Sequence, residues 1–241
     1  MSQLQVETVS KSFRGLRAVS DVSFEVDSGA MIGLIGPNGA GKTTLFNLIA
    51  GALTPDAGTI RFEQRCISGL RPDQIAAVGV ARTFQLTRPF GGLSVLDNVT
   101  VGALARERSV PEARARATAL LERLQLADKC AISAASLTLP ERKRLEVARA
   151  LATRPKLLLL DEVMAGLRPN EVEVMVELIR DFNRADGLTI VVIEHVMRAV
   201  MSLAQQLVVL HHGELIARGA PEAVVRDPAV ISCYLGEGSG A

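Results

Sequence analysis

The 241-residue chain predicts an α/β fold with an antiparallel β region at its N-terminal end and a helical subdomain inserted near its middle. Three observations predict it. A short apolar strand, Met31–Ile35, runs into a glycine-rich loop that opens a helix. Four consecutive leucines, 157–160, read as a parallel strand covered on both faces. Between the two, from about 87 to 135, the composition turns rich in Ala, Arg and Leu.

Each element has its own signal. Leu4 and Val6 alternate briefly with polar residues, and Val22, Phe24 and Val26 do so more fully, so both segments read as half-buried strands. Residues 59–62 follow as another, after the turn around Pro55 and Gly58. A helix is expected over 45–50, directly after the glycine-rich loop. In the middle segment Ala113, Ala117, Leu120, Leu121 and Leu124 fall at helical spacing. Arg106, Arg108, Arg114, Arg116 and Arg123 are expected to form the solvated face of those helices. Beyond 157 the α/β pattern returns. Val172, Met175, Val176, Ile179 and Phe182 make a helical stripe, with Pro169, Glu171 and Glu173 near its start. Thr189–Ile193 reads as a second buried strand, and 206–210 with 214–217 as a hairpin turning at His212-Gly213. The Gly/Ser-rich end after Leu235 is expected to fray.

The loop Gly36-Pro37-Asn38-Gly39-Ala40-Gly41-Lys42-Thr43-Thr44 carries the most specific chemistry. Its glycines let the backbone aim several N–H groups at phosphate oxygens. The following helix adds its positive N-terminal end, and Lys42 adds a full charge toward the β- and γ-phosphates. Thr43 stands where a hydroxyl can ligate Mg²⁺. A bland glycine loop matches part of this pattern, but the full GxxxxGKT between strand and helix predicts a nucleoside triphosphate site. Asp161 and Glu162 follow the four leucines. An acid at the carboxyl end of a buried strand beside a phosphate loop can hold Mg²⁺, and the next carboxylate is placed to orient and deprotonate a water. A lone Asp-Glu pair is usually only a strand end, and it is the two motifs together that carry the reading.

Composition narrows the partners. Lys and Arg number 27 and Asp and Glu 26, so no overall field favours nucleic acid or an anionic bilayer. There is no Trp and a single Tyr, which argues against stacking on single-stranded nucleic acid. Cys66, Cys130 and Cys233 are odd in number and far apart, as expected of reduced thiols without a disulfide or metal frame. No signal pattern and no spanning apolar run are visible, so work at a membrane is expected to proceed by docking onto another protein.

With these motifs in hand, the chain resembles the ATP-binding cassette (ABC) ATPases over nearly all of its length. The resemblance implies a RecA-like P-loop NTPase core: one domain over 1–241, with 1–86 and 141–241 forming the core and β subdomain and 87–140 the helical subdomain. It implies that Phe13 stacks on adenine, and that Gln85, in Arg82-Thr83-Phe84-Gln85, senses Mg²⁺ and the γ-phosphate. It implies that residues 137–141, Thr138 and Glu141 among them, form the signature that faces a partner's nucleotide. His195 matches the switch histidine that contacts the γ-phosphate. The catalytic set so implied is Glu162, His195, Lys42 and Gln85; the ligands are ATP and Mg²⁺, the metal held by Thr43, Gln85 and Asp161. Within the family, segments 81–99 (ARTFQLTRPFGGLSVLDNV), 161–167 (DEVMAGL) and 230–237 are most similar to the ATPase subunits of branched-chain amino acid importers. That implies two membrane permease subunits, a second ATPase subunit, an extracytoplasmic binding protein reached indirectly, and a place at the cytoplasmic face of the membrane.

The chain departs from that family's pattern at two points. The usual LSGGQ reads Leu137-Thr138-Leu139-Pro140-Glu141, with both glycines gone and a proline that offers no N–H. Locally this is a helix start, with Thr138 as N-cap and Glu141 closing a capping box. A working but weaker signature is the favoured reading; a regulatory subunit that binds ATP and turns it over poorly is the alternative. Arg168 stands where the family's D-loop usually carries Asp, which bears on communication across a dimer. A soluble, non-transport ABC protein acting on ribosomes or DNA is a third reading, weakened by the single cassette and short helical insert. A G-protein is disfavoured by the lack of an Asn-Lys-x-Asp motif. Solute identity, and homodimer against heterodimer, stay open.

Overall fold

The computed structural model describes residues 2–83 and 89–235. At the N-terminal end β1 (Ser2–Phe13) and β2 (Leu16–Asp27) pair antiparallel. β1 is far longer than the Leu4–Val6 alternation suggests. Thr8 turns left-handed, with φ 48, and the register slips between Val6 and Val9. Leu4, Val6 and Val9 therefore all face inward although their spacing breaks period two, and that broken alternation hides the strand in the sequence.

β3 (Met31–Ile35) leads into α1 (Lys42–Ile49), which begins three residues before the expected start because Gly41 caps it in the left-handed region. β4 (Ala57–Phe62) and β5 (Arg65–Cys66) complete an antiparallel sheet of order β2-β1-β4-β5. α2 (Pro72–Val78) and β6 (Val80–Arg82) come next, then the helical segment of α3 (Val95–Ala103) and α4 (Val110–Arg123), and after it α5 (Leu139–Ala152). The remaining chain alternates: β7 (Leu157–Asp161), α6 (Pro169–Asp186), β8 (Thr189–Ile193), α7 (Met197–Leu203), the hairpin β9 (Gln206–His211) and β10 (Glu214–Gly219), then α8 (Pro221–Val224) and α9 (Pro228–Leu235).

The main sheet has the order β10-β9-β3-β8-β7-β6 and is parallel except for the β9–β10 hairpin. Its central strands are buried on both faces, as the run of leucines requires. Leu157 and Leu159 join the core beneath α1 and the antiparallel sheet, while Leu158 and Leu160 join the core shared with α3 to α6. The phosphate loop, β7 and β8 thus deliver their carboxyl-terminal ends to one edge of the sheet, where open α/β folds place ligands.

The arginines of the middle segment correct the expectation of a solvated face. Arg108 and Arg114 are exposed, but Arg106, Arg116 and Arg123 turn inward. Arg106 donates to the carbonyls of Thr153, Ala76 and Ala77, and Arg116 to those of Leu151 and Ala152 at the end of α5. Arg123 covers the Phe182 ring with its guanidinium 3.9 Å from the centroid and bonds Asp181 and Asp186. They clamp the helical segment to the core, because a long guanidinium stem buries apolar surface while its head finds carbonyls left over at helix ends.

Candidate nucleotide site

The phosphate loop is wedged between β2 and the β9–β10 hairpin. A Cβ on Gly36 would stand 2.0 Å from the Leu210 carbonyl oxygen, and one on Gly41 2.3 Å from that of Ala18, so neither position tolerates a side chain. Both have positive φ, 147° and 101°. The N–H of Gly213 donates to the carbonyl of Ala40 at 3.1 Å, and that of Ser20 to Gly213 at 2.8 Å. At the start of α1 the N–H groups of Thr43 and Thr44 have no acceptor within the helix, and the positive end of the helix there favours an anion. Lys42 is buried, and its ammonium donates to the carbonyls of Gly36 and Pro37 at 2.6 and 2.8 Å. Charge and amides converge on one concave surface.

Across from it stands the end of β7. Thr43, Asn47, Arg82 and Asp161 line one cleft of about 820 Å³ between the core and the helical segment. Asp161 is fully buried. Its N–H donates to Thr83 Oγ1 at 2.9 Å, and its Oδ2 accepts from Arg82 Nη2 at 2.6 Å. Its Oδ1 has no hydrogen-bond partner among the described residues. A buried carboxylate oxygen left without a partner, with the Thr43 hydroxyl on the same cleft, is a donor set of the hard-oxygen kind that Mg²⁺ takes.

Glu162 sits in the left-handed region at φ 51, a conformation costing a side-chain-bearing residue about 1 kcal/mol. Its bonds hold it there. Its N–H donates to the Ile193 carbonyl at 2.9 Å, its own carbonyl accepts from Lys143 Nζ at 2.8 Å and from the Ala165 N–H at 3.3 Å, and its Oε1 lies 2.7 Å from His195 Nε2. Beside it Glu194, 2% exposed, accepts from the Met164 N–H at 2.7 Å. Burial pushes that carboxyl up to about 7; the bond from Met164 lowers it, the nearby Glu162 charge raises it and Lys143 lowers it. Met164 and Val163, which follow Glu162, are fully buried and serve the core.

The other expected site residues are placed as follows. Phe13 ends β1, 42% exposed, with Lys11 Nζ 5.8 Å from its ring centroid. Thr138 caps α5, and its N–H and hydroxyl both donate to Glu141 Oε2 at 2.8 Å. The bond from the Thr138 N–H, more than any other influence, holds the Glu141 carboxyl below its usual range. Arg168 caps α6 at an exposed position, its N–H donating to Glu171 at 2.7 Å. Gln85 lies outside the described residues. Lys143, Glu194 and Arg82 carry only faint signals in the sequence: a lysine on a helix face otherwise turned inward, an acid directly after a five-residue buried strand, and a basic residue closing a buried strand.

The family described as ABC transporter matches residues 19–165, and the one described as branched-chain amino acid ATP-binding cassette transporter matches residues 214–239. The chain is 40% identical to the high-affinity branched-chain amino acid transport ATP-binding protein LivG of Salmonella typhimurium, over 98% of this chain and all of that protein. It is 37% identical to the lipopolysaccharide export system ATP-binding protein LptB of Escherichia coli, over 98% of each. Among solved structures it is similar to the ADP conformation of MJ1267, an ATP-binding cassette of an ABC transporter. That likeness has a TM-score of 0.90 at 32% identity, over 98% of this chain and 99% of the other.

Proposed function

From the premise that the chain belongs to the ABC transporter family of ATPases, we propose that it powers an importer of branched-chain or other hydrophobic amino acids, or of related small solutes. The C-terminal match at 214–239 is what favours this solute class over the export system served by the similarly related LptB. The observation that carries the catalytic reading is Glu162, fixed in a left-handed turn with its carboxylate 2.7 Å from His195 and next in the chain to Asp161, which shares a cleft with Thr43.

In this reading the Gly36 to Thr44 amides and Lys42 grip the triphosphate, and Phe13 stacks on the adenine. Thr43, Gln85 and Asp161 would hold Mg²⁺, which supplies charge neutralisation on the phosphate oxygens when bound. Glu162 orients the attacking water and accepts its proton, while His195 steadies that carboxylate and meets the γ-phosphate. The division into a core of 1–86 with 141–241 and a helical subdomain of 87–140 belongs to the same reading, as do the roles of Thr138 and Glu141 toward the nucleotide of a second ATPase subunit. The partners are that subunit and two membrane permeases, with an extracytoplasmic binding protein reached through them and no nucleic acid. Among the described residues no helix is long and apolar enough to cross a membrane, and the place that belongs to this reading is peripheral, at the cytoplasmic face. The Glu141 carboxylate at the head of α5 supports a second reading, a low-turnover ATP-binding subunit.

The test has three parts. Lys42→Ala should lose ATP binding in calorimetry by about 100-fold. Glu162→Gln should bind ATP, accumulate as a dimer in gel filtration and stop hydrolysing. Cells carrying Glu162→Gln should lose leucine uptake. Turnover and a monomeric state both unchanged in Glu162→Gln would reject the assignment of Glu162. Intact leucine uptake beside lost turnover would reject the solute.

A further inference from the structure

α5 meets the loop after β7 at two places. Leu139, one residue past the Thr138 cap, packs against Gly166, where an added Cβ would stand 3.2 Å from Leu139 Cδ2. One helical turn further on, Lys143 is only 4% exposed and spends its ammonium on the carbonyl of Glu162 at 2.8 Å. Lysine is seldom buried to this degree, because the charge must find compensation inside the protein. Here the compensation is a main-chain oxygen, with the carboxylates of Glu162 and Glu194 nearby. Of the bonds that hold Glu162, those with Ile193 and His195 lie with β8 and the residues just after it, and that from the Ala165 N–H closes the turn itself. The Lys143 bond reaches it from a separate element, α5. It comes from the helix whose N-terminal end is the signature, about 7.5 Å up the helix axis at Thr138.

We infer that Lys143 is a positioning residue through which the signature helix sets the backbone of Glu162, and so the aim of its carboxylate. A residue in the left-handed region stays there only while its surroundings over-determine it. When α5 shifts, the Glu162 carbonyl loses its charged donor and is left with the longer bond from Ala165, the turn relaxes, and the carboxylate leaves the line of attack. Phosphate binding at the Gly36 to Thr44 loop does not pass through this contact. One chain's signature helix would therefore report on that same chain's own catalytic carboxylate. The Arg168 substitution leaves room for such a link, because the acid that usually serves communication at that position is absent. The inference rests on the reading of Glu162 as the water-orienting base.

The test compares Lys143→Met and Lys143→Arg in the full chain, with Glu162→Gln as reference. Lys143→Met should lower kcat by about 10- to 100-fold, the cost of a misplaced reacting group. Its affinity for a fluorescent ATP analogue should stay within about twofold, and it should accumulate as an ATP-bound dimer. Lys143→Arg, which still reaches the carbonyl, should recover kcat to within about threefold. Wild-type turnover in Lys143→Met overturns the inference. So does a Lys143→Arg protein that melts like wild type yet hydrolyses as poorly as Lys143→Met, since a packing role would show that pattern. Should Lys143→Met not fold, the Arg variant decides alone: near-wild-type kcat supports the role, and a tenfold loss with an unchanged melt rejects it. If Glu162→Gln itself keeps turnover, the reading of Glu162 fails; if it loses turnover while Lys143→Met keeps it, only the positioning role fails.

Discussion

The guanidinium of Arg82, at the end of β6, closes on the carboxylate of Asp161, at the end of neighbouring β7, with Nη2 and Oδ2 2.6 Å apart. The aspartate side chain is fully buried and the arginine side chain 10% exposed. Arg82 also donates to Asn47 of α1, so one side chain ties the edge strand to the phosphate-loop helix and to the acid read as a metal ligand.

Removing one member of such a pair leaves an uncompensated buried charge, which costs about 3–5 kcal/mol. Arg82→Met should therefore melt well below wild type, and millimolar Mg²⁺ should restore part of the loss by taking over the Asp161 charge. Thermal unfolding with and without Mg²⁺ checks both statements. An unchanged melt, or a loss that Mg²⁺ leaves untouched, speaks against the charge argument.

Glu194 makes stability depend on pH. Its carboxyl rises from an ordinary 4.5 to about 7 in the fold, so between those values the folded chain holds a proton that the unfolded chain releases. Stability contributed by the neutral form is present below pH 4.5 and is lost as pH rises toward 7, by about 3 kcal/mol in all. Glu194→Gln keeps an acceptor for the Met164 N–H and has nothing to titrate. In urea unfolding it should match wild type near pH 5 and exceed it at pH 8. A gap between the two proteins that does not change with pH would show that the carboxyl titrates normally.

At the head of α5, Glu141→Gln keeps an oxygen for the Thr138 N–H and removes a negative charge from the end proposed to meet a partner's γ-phosphate. Hydrolysis should rise a fewfold while stability moves by less than about 1 kcal/mol. Thr138→Ala loses the cap and should cost about 1 kcal/mol. Steady-state kinetics with parallel melts separates the two effects, and a fall in kcat for Glu141→Gln would mean that the carboxylate is needed.

Arg123 joins α4 to α6 through the Phe182 ring and two carboxylates, a contact that is partly exposed. Arg123→Ala should lower stability by about 1–2 kcal/mol, or roughly 3–6 °C in Tm for a chain of this size, and leave kcat at 25 °C unchanged. An equal melt for the Ala variant would place this arginine among the decorative surface charges.

The sequence by itself determined the parts whose signal is local. The GxxxxGKT loop, the four leucines and the Asp161-Glu162 pair each need only adjacent residues to be read. Strand, loop and helix follow from steric and hydrogen-bonding rules that act over a few residues. Tertiary structure decided which side chains meet. Arg82 and Asp161 are 79 positions apart, Lys143 and Glu162 are 19 apart, and Arg123 reaches Asp186 over 63. Nothing in the local pattern of an arginine or lysine tells a solvated head from one that clamps a carbonyl or a buried acid. Likewise the left-handed bulge at Thr8 erased the alternation that would have revealed the full length of β1. Such charges are settled only when desolvation makes an unpaired group too costly and the packed layers offer a single partner within reach.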